Sequence, residues 1–195
     1  MEDNPFSYNT IRDVETDSGD IFIGNKQLNF NFEVPKVDSD SILKLVDEYK
    51  KISCESDEFR AIKEELEDYK KPRPNRDIIG LENKLMDGNR KDLIEEAKEY
   101  KDKFAKRLMR YEFSTHQTAI HLTLLGKIEE RFNTYIVPLI KNGSENEKVD
   151  LAISTLIIQP LSQEVMAADP TLTAKQIRGM MYMMTGNCYL KWSKS

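Results

Sequence analysis

The chain is poor in the residues that most often carry chemistry or covalent scaffolding, with two cysteines, two histidines and one tryptophan among 195 residues. Cys54 and Cys188 cannot frame a disulfide scaffold or a four-cysteine zinc site, and they suit a reducing compartment. No apolar run approaches the roughly 20 residues that span a bilayer, and no basic-then-apolar signal opens the chain. A cytoplasmic protein without a membrane segment is expected. A phosphate-cradling loop is missing as well, because Gly24-Asn25-Lys26 has no second glycine and no helix after it.

His116 and His121 stand five residues apart, about 140° around a helix axis, so they share no face. The run between them lacks the spacing and the glutamate of a zinc-protease helix. Glu64-Glu65 and Glu95-Glu96 are adjacent pairs on charged helices and diverge by about 100°. They are read as solvated surface. Cys188 could serve as a nucleophile only beside a histidine, and a small buried thiol is the simpler reading. The sequence therefore predicts a protein that is not an enzyme, with no catalytic residues, no cofactor and no metal.

What the chain does have is charge, unevenly placed. Residues 1–40 hold nine acids and three bases, a balance of −6, against −5 for the whole chain. Beyond Asp169 there is no acid at all, only Lys175, Arg178, Lys191 and Lys194. An acidic first segment thus precedes a nearly neutral body with a cationic end. Some of those cations are explained by helix ends, where each contributes roughly 0.3–1 kcal/mol.

Hydrophobic periodicity divides the chain further. Ile21-Phe22-Ile23, the turn residues Gly24-Asn25, and the alternating Leu28, Phe30, Phe32 and Val34 predict a β-hairpin that ends at Pro35. From Ser39 onward the pattern is helical. Ile42, Leu45, Val46, Tyr49 and Ile52 make one stripe; Phe59, Ile62, Leu66 and Tyr69 make a second, capped at Ser56. Pro72-Arg73-Pro74 forms a stiff connector. A short segment with Ile78, Ile79, Leu81, Leu85 and Met86 closes at Asp87-Gly88, and a long helix follows with Leu93, Ile94, Ala97, Tyr100, Phe104 and Leu108.

The last third carries three capping-box signatures, Ser114 with Gln117, Ser144 with Glu147, and Thr173 with Gln176. Pro138 and Pro160 are expected to bend the first two of these helices. The fold class is mainly α, a multi-helix bundle with an N-terminal β-hairpin arm. Its expected divisions are an acidic arm over 1–36, a charged helical region over 37–110 and a C-terminal helical domain over 111–195.

Two features exceed what solubility needs. Met180, Met181 and Met184 fit a core stripe with Ile177, whereas Met183 falls off it, and methionine adapts well to a partner's groove. Tyr182, Tyr189 and Trp192 cluster near lysines at the end of the chain. Phe30, Phe32, Met180, Met183, Met184, Tyr189 and Trp192 are the candidate partner-binding residues. The hairpin edge is a candidate for self-association or for augmenting a partner's sheet.

The text of the second half resembles a known family. The lead-in runs from Arg76-Asp77-Ile78-Ile79-Gly80-Leu81 through Lys103-Phe104-Ala105-Lys106-Arg107-Leu108. The main block holds Leu125-Gly126-Lys127-Ile128, Ile136-Val137-Pro138, Asn142-Gly143 and Gln159-Pro160-Leu161. Its most specific part runs from Gln176-Ile177-Arg178-Gly179 to Thr185-Gly186-Asn187-Cys188-Tyr189 and Trp192. Together these residues resemble the C-terminal domain of bacterial ABC-three component systems. The resemblance implies a setting in conflict or anti-phage defence, where a structural-maintenance-type ABC ATPase and a small middle component work with an effector. It implies an adaptor that couples effector to ATPase, with protein subunits as partners. Upstream of the matching region the chain has no room for a nuclease or protease effector. At position 189 the family leads one to expect histidine, and the tyrosine there argues against catalysis by Cys188. The alternative is a nucleic-acid-binding regulator that uses the acid-free end and the bases around Arg107 and Arg110.

Overall fold

A computed structural model describes residues 20–23, 26–29, 34–74 and 79–194. The chain divides into two units, Met1–Glu33 and Val34–Ser195. In the first, β1 (Asp20–Ile23) and β2 (Lys26–Asn29) pair antiparallel, with Ile23 opposite Lys26 and Asp20 opposite Asn29. Gly24, Asn25, Phe30 and Phe32 lie outside the described residues. Val34 was expected to continue the strand, but it is exposed and stands outside any strand.

The second unit is helical throughout. Asp38 opens α1 (Ser39–Tyr49) by accepting the Ser41 N–H at 3.1 Å, and Ser56 opens α2 (Asp57–Lys70) by accepting the Phe59 N–H at 3.1 Å. Each bond satisfies a donor that the first helical turn leaves unpaired. Ile42 and Val46 of α1, and Phe59 and Leu66 of α2, are buried. Next come α3 (Leu81–Asp87), a 3₁₀ turn over Lys91–Leu93 and α4 (Ile94–Arg110). In α3, Leu81 and Leu85 face inward and Met86 faces out; Ile79, ahead of the helix, is exposed as well.

Two of the remaining helices each contain a π turn. In one, α5 (Thr115–Arg131) passes through Phe132–Ile136 into α6 (Val137–Lys141). In the other, α7 (Asn146–Ile153) passes through Ser154–Ile158 into α8 (Gln159–Met166). Pro138 and Pro160 stand two residues after these turns, where the sequence predicts bends. A proline has no N–H to donate, and its ring collides with the carbonyl four residues back. The π turn widens the coil instead of breaking it: the Val137 N–H reaches Phe132 and the Gln159 N–H reaches Ser154, each five residues back. Leu156 carries the carbonyl that residue 160 would bond in an uninterrupted α-helix. Arg131 Nη1 donates to that oxygen at 3.4 Å.

The last helix, α9 (Ala174–Gly186), lies along α4 so closely that a Cβ on Gly179 would sit 2.4 Å from the Tyr100 carbonyl oxygen. Helices on both sides of residue 110 pack together within the unit Val34–Ser195. Buried α5 packs against α1, α2 and α9.

Burying four large side chains from α1 and α2 contributes roughly 1.5–3 kcal/mol each, comparable to the 5–15 kcal/mol net stability of a typical domain. A chain that begins at residue 80 is therefore expected to lose cooperative thermal unfolding and to bind ANS. A sharp, wild-type-like melt of that fragment would show that α1 and α2 are dispensable.

Candidate interaction site

The C-terminal run from Gln176 to Trp192 is built into the body. Met180, Met181 and Met184 are completely buried, and Met183 is only 5% exposed. The three-and-four spacing explains the first three. Met183 follows them because α9 is covered on further sides, by α3, α5 and α8 as well as α4. Trp192 is 3% exposed; its indole N–H donates to Thr185 Oγ1 at 3.0 Å, and its ring centroid lies 5.3 Å from that of Phe132. Gly88 permits this seat, since a Cβ there would stand 2.6 Å from Trp192 Cβ. Met180, Met183, Met184 and Trp192, expected at a partner surface, thus face the interior.

Tyr189 is half-buried and engaged within the chain. Its hydroxyl donates to the Asp68 carbonyl at 2.6 Å, its ring lies 4.7 Å from that of Tyr69, and the Arg73 guanidinium lies 4.1 Å above it. The Arg73 N–H donates to the Asn187 carbonyl, Asn187 Nδ2 donates to the Tyr69 carbonyl, and Arg73 Nη2 pairs with Glu129 at 2.7 Å. Burial, then the Glu129 charge, push the Tyr69 hydroxyl up to about 12. The Pro-Arg-Pro connector is therefore a clasp on the end of α9.

Three helix ends close in the same way. At α3 the Arg90 N–H returns to Leu85 and the Asn89 N–H to Met86. At α6 the Ser144 N–H returns to Leu139 and the Gly143 N–H to Ile140. At α9 the Tyr189 N–H returns to Met184 and the Cys188 N–H to Thr185. This six-to-one and five-to-two pattern needs one residue with positive φ. Asn89 has φ 55°, Gly143 has 72° and Cys188 has 66°. The sequence points to Gly88 and Gly186 as terminators, yet the left-handed position falls on Asn89 and Cys188. Cys188 is thus a buried structural thiol in a conformation that costs a non-glycine residue roughly 1–2 kcal/mol, while Cys54 is exposed and free.

The capping boxes place helix starts better than they describe them. Ser114 and Thr173 flank α5 and α9, but neither side chain makes a capping bond, and α7 starts two residues after Ser144. Gln117 is drawn elsewhere. Its amide nitrogen donates to Asp169 at 2.8 Å and its oxygen accepts from Arg107 Nη2 at 2.8 Å.

Those bonds belong to a buried network that the sequence did not announce. Arg107 donates through Nε to His121 Nε2 at 3.0 Å, through Nη1 to Thr171 Oγ1 at 2.8 Å, and through Nη2 also to the Asp169 carboxylate. Asp169 further accepts the Thr171 N–H at 2.9 Å and the Thr171 hydroxyl at 2.6 Å. Burial alone would push the Asp169 carboxyl up. The bonds from Thr171 and Gln117 and the charge of Arg107 outweigh it and hold the group low. Burial, then the Arg107 charge, push His121 down to about 3. The available signal was position: Arg107 stands three residues after Phe104, on the face of α4 that packs inward. His116 turns away from this network, with Nδ1 3.4 Å from Ser114 Oγ.

A second cluster joins Glu164, fully buried, to Lys127, with Arg131 Nη2 at 3.7 Å. A third joins buried Arg90 to Asp150 at 2.8 Å and Asp92 at 3.2 Å, with the Trp192 ring centroid 5.6 Å from the guanidinium. Residues 87–90, 143–146 and 192–194 line a cleft of about 640 Å³ beside it.

The part of the helical body that carries the clasped C-terminal motif, with Trp192 as its keystone, falls within the match of one family model. The chain belongs to the family of C-terminal domain 9 of the ABC-three component (ABC-3C) systems, which matches residues 80–192. Membership in such a system implies protein partners in a complex. No curated protein and no solved structure matches the chain. Among the described residues no helix is long and apolar enough to cross a membrane.

Two outcomes are expected. Unfolded His121 takes up its proton near its ordinary value of 6.5, whereas the folded residue waits until about 3. The unfolded state therefore binds more protons between those values, and stability falls as pH is lowered, by up to about 1.4 kcal/mol per unit. Urea midpoints should decline as pH is lowered across this window, and His121→Gln, which keeps an acceptor for Arg107, should flatten the decline. Separately, Cys188→Gly should be more stable than Cys188→Ala by about 1 kcal/mol, because only glycine adopts the left-handed position without strain. Equal denaturation midpoints would show that the position carries no strain.

Proposed function

We propose that this chain is a non-enzymatic helical adaptor in a bacterial ABC-three component defence complex, coupling an effector to a structural-maintenance-type ABC ATPase. The match over residues 80–192 carries the reading. The use of the reactive side chains supports it. Cys188 closes a helix, His121 accepts from Arg107, the Asp169 carboxylate holds the buried Arg107, and the Glu164 carboxylate pairs with Lys127. Each of these groups is committed to holding helices together. The N-terminal segment supplies a second contact or a self-association edge in this reading, with Phe30 and Phe32 as its candidate residues.

The nucleic-acid reading loses one of its anchors, because Arg107 is buried and fully engaged. The exposed bases Arg110, Lys175, Lys191 and Lys194 remain to it.

Co-expression with the ATPase and effector components of the same system tests the proposal. The chain is expected to co-purify with them, and replacing Phe30 and Phe32 with serine is expected to weaken assembly without changing helical content. If the other components assemble fully without the chain, the adaptor reading fails. Tight, steeply salt-dependent binding to DNA or RNA would favour the regulator instead.

A further inference from the structure

The end of α4 carries a surface stripe that internal packing does not explain. Lys106, Met109, Arg110 and Phe113 recur at spacings of three, four and seven residues, which places them along one face running from the helix into the turn that follows. Met109 is 69% exposed and Phe113 is 71% exposed, the two most exposed large apolar side chains among the described residues. Lys106 and Arg110 are exposed as well, and among the described residues neither has an ion-pair partner. Other charges nearby are matched: Lys103 pairs with Glu99, and Lys63 pairs with Glu112 at 3.1 Å. Lys63 also lies 4.8 Å from the Phe113 ring centroid and steadies the ring without covering it.

A cation in the last turn of a helix is expected from the helix dipole, which accounts for Arg110 alone. It does not account for two large apolar side chains set in water between unpaired bases. Apolar anchors set between unpaired cations are a pattern of protein-docking surfaces, where the anchors provide affinity and the charges choose the partner.

We propose that the stripe Lys106–Met109–Arg110–Phe113 docks an acidic amphipathic helix of a partner protein. The apolar side of that helix lies on Met109 and Phe113, and its carboxylates meet Lys106 and Arg110. The inference rests on the adaptor reading and names the chemistry of one of its contacts. Two unpaired cations beside the acidic Glu112 are too few for sequence-independent binding to a phosphate backbone, which draws on many such contacts. They are equally few for a lipid surface, where each base near the headgroups contributes only about 1 kcal/mol.

The test uses the full chain with the purified ATPase and effector components of its own system. Two variants are compared with wild type, Met109→Ser with Phe113→Ser, and Lys106→Glu with Arg110→Glu. All four positions are exposed, so circular dichroism and melting temperature should match wild type. Each double variant is expected to weaken assembly on the order of tenfold or more. For the charge reversal, most of that loss should disappear at high salt. If wild type assembles and both variants assemble equally well, the docking surface is overturned while the adaptor reading stands. If wild type does not assemble, the adaptor reading itself falls and the docking helix with it. Binding of wild type to poly(dT) or to phosphatidylserine vesicles that the variants lose, with protein assembly unchanged, would assign the stripe to that ligand and overturn the proposal.

Discussion

A buried guanidinium sets the terms for this fold. Arg107 offers donors in a fixed planar arrangement, and leaving any of them dry and unpaired is costly. Four groups from two other parts of the chain answer it: His121 and Gln117 on α5, and Asp169 and Thr171 on the loop before α9. A single side chain of α4 thereby fixes where α5 lies and where the loop must turn. Removing one partner from such a pair typically costs about 3–5 kcal/mol, because the other charge stays buried. Whether the pair adds net stability over an apolar substitute is a different matter. Its clear effect is to permit one arrangement of three elements and to penalise others.

Around that constraint the body is closed by its ends more than by its middles. The finishes of α3, α6 and α9 each use the same pair of reversed hydrogen bonds, and the chain beyond α9 turns back so that Trp192 rests on Gly88. The clasp at Arg73, Tyr69 and Tyr189 extends this closure to residues upstream of the family match. α1 and α2 lie there too, yet they cover α5. The physical module is therefore larger than the recognisable text.

The sequence made the helices legible because their apolar spacing is regular, and it placed most starts and stops within a few residues. It misled where two roles compete for one residue type. Ser114 and Gln117 spell a capping box, but Gln117 finds a charged partner in the interior and leaves the cap. Gly88 and Gly186 look like left-handed terminators, but Gly88 serves close packing against Trp192, and the left-handed positions fall on Asn89 and Cys188. The methionines and Trp192 read equally well as core or as contact surface, since both uses want large, adaptable apolar groups. Only the position of the surrounding helices decides between them. Arg107 was hidden among the lysines and glutamates of a helix that is otherwise solvated. The stripe at Lys106, Met109, Arg110 and Phe113 was obscured in the same way, because its apolar members fall outside the core period.

The prolines of α6 and α8 have a consequence for how related chains should be compared. A π turn holds one residue more than the α-helix it interrupts, so every position beyond it is rotated by about 100° relative to an uninterrupted helix. Pro138 and Pro160 are what make the extra residue comfortable. A relative without one of these prolines has no need of the added residue, and its helix would align with this one only across a single-residue gap. Placed there, the gap keeps inward positions matched to inward positions. An ungapped alignment would instead match core residues to surface residues along the rest of the helix.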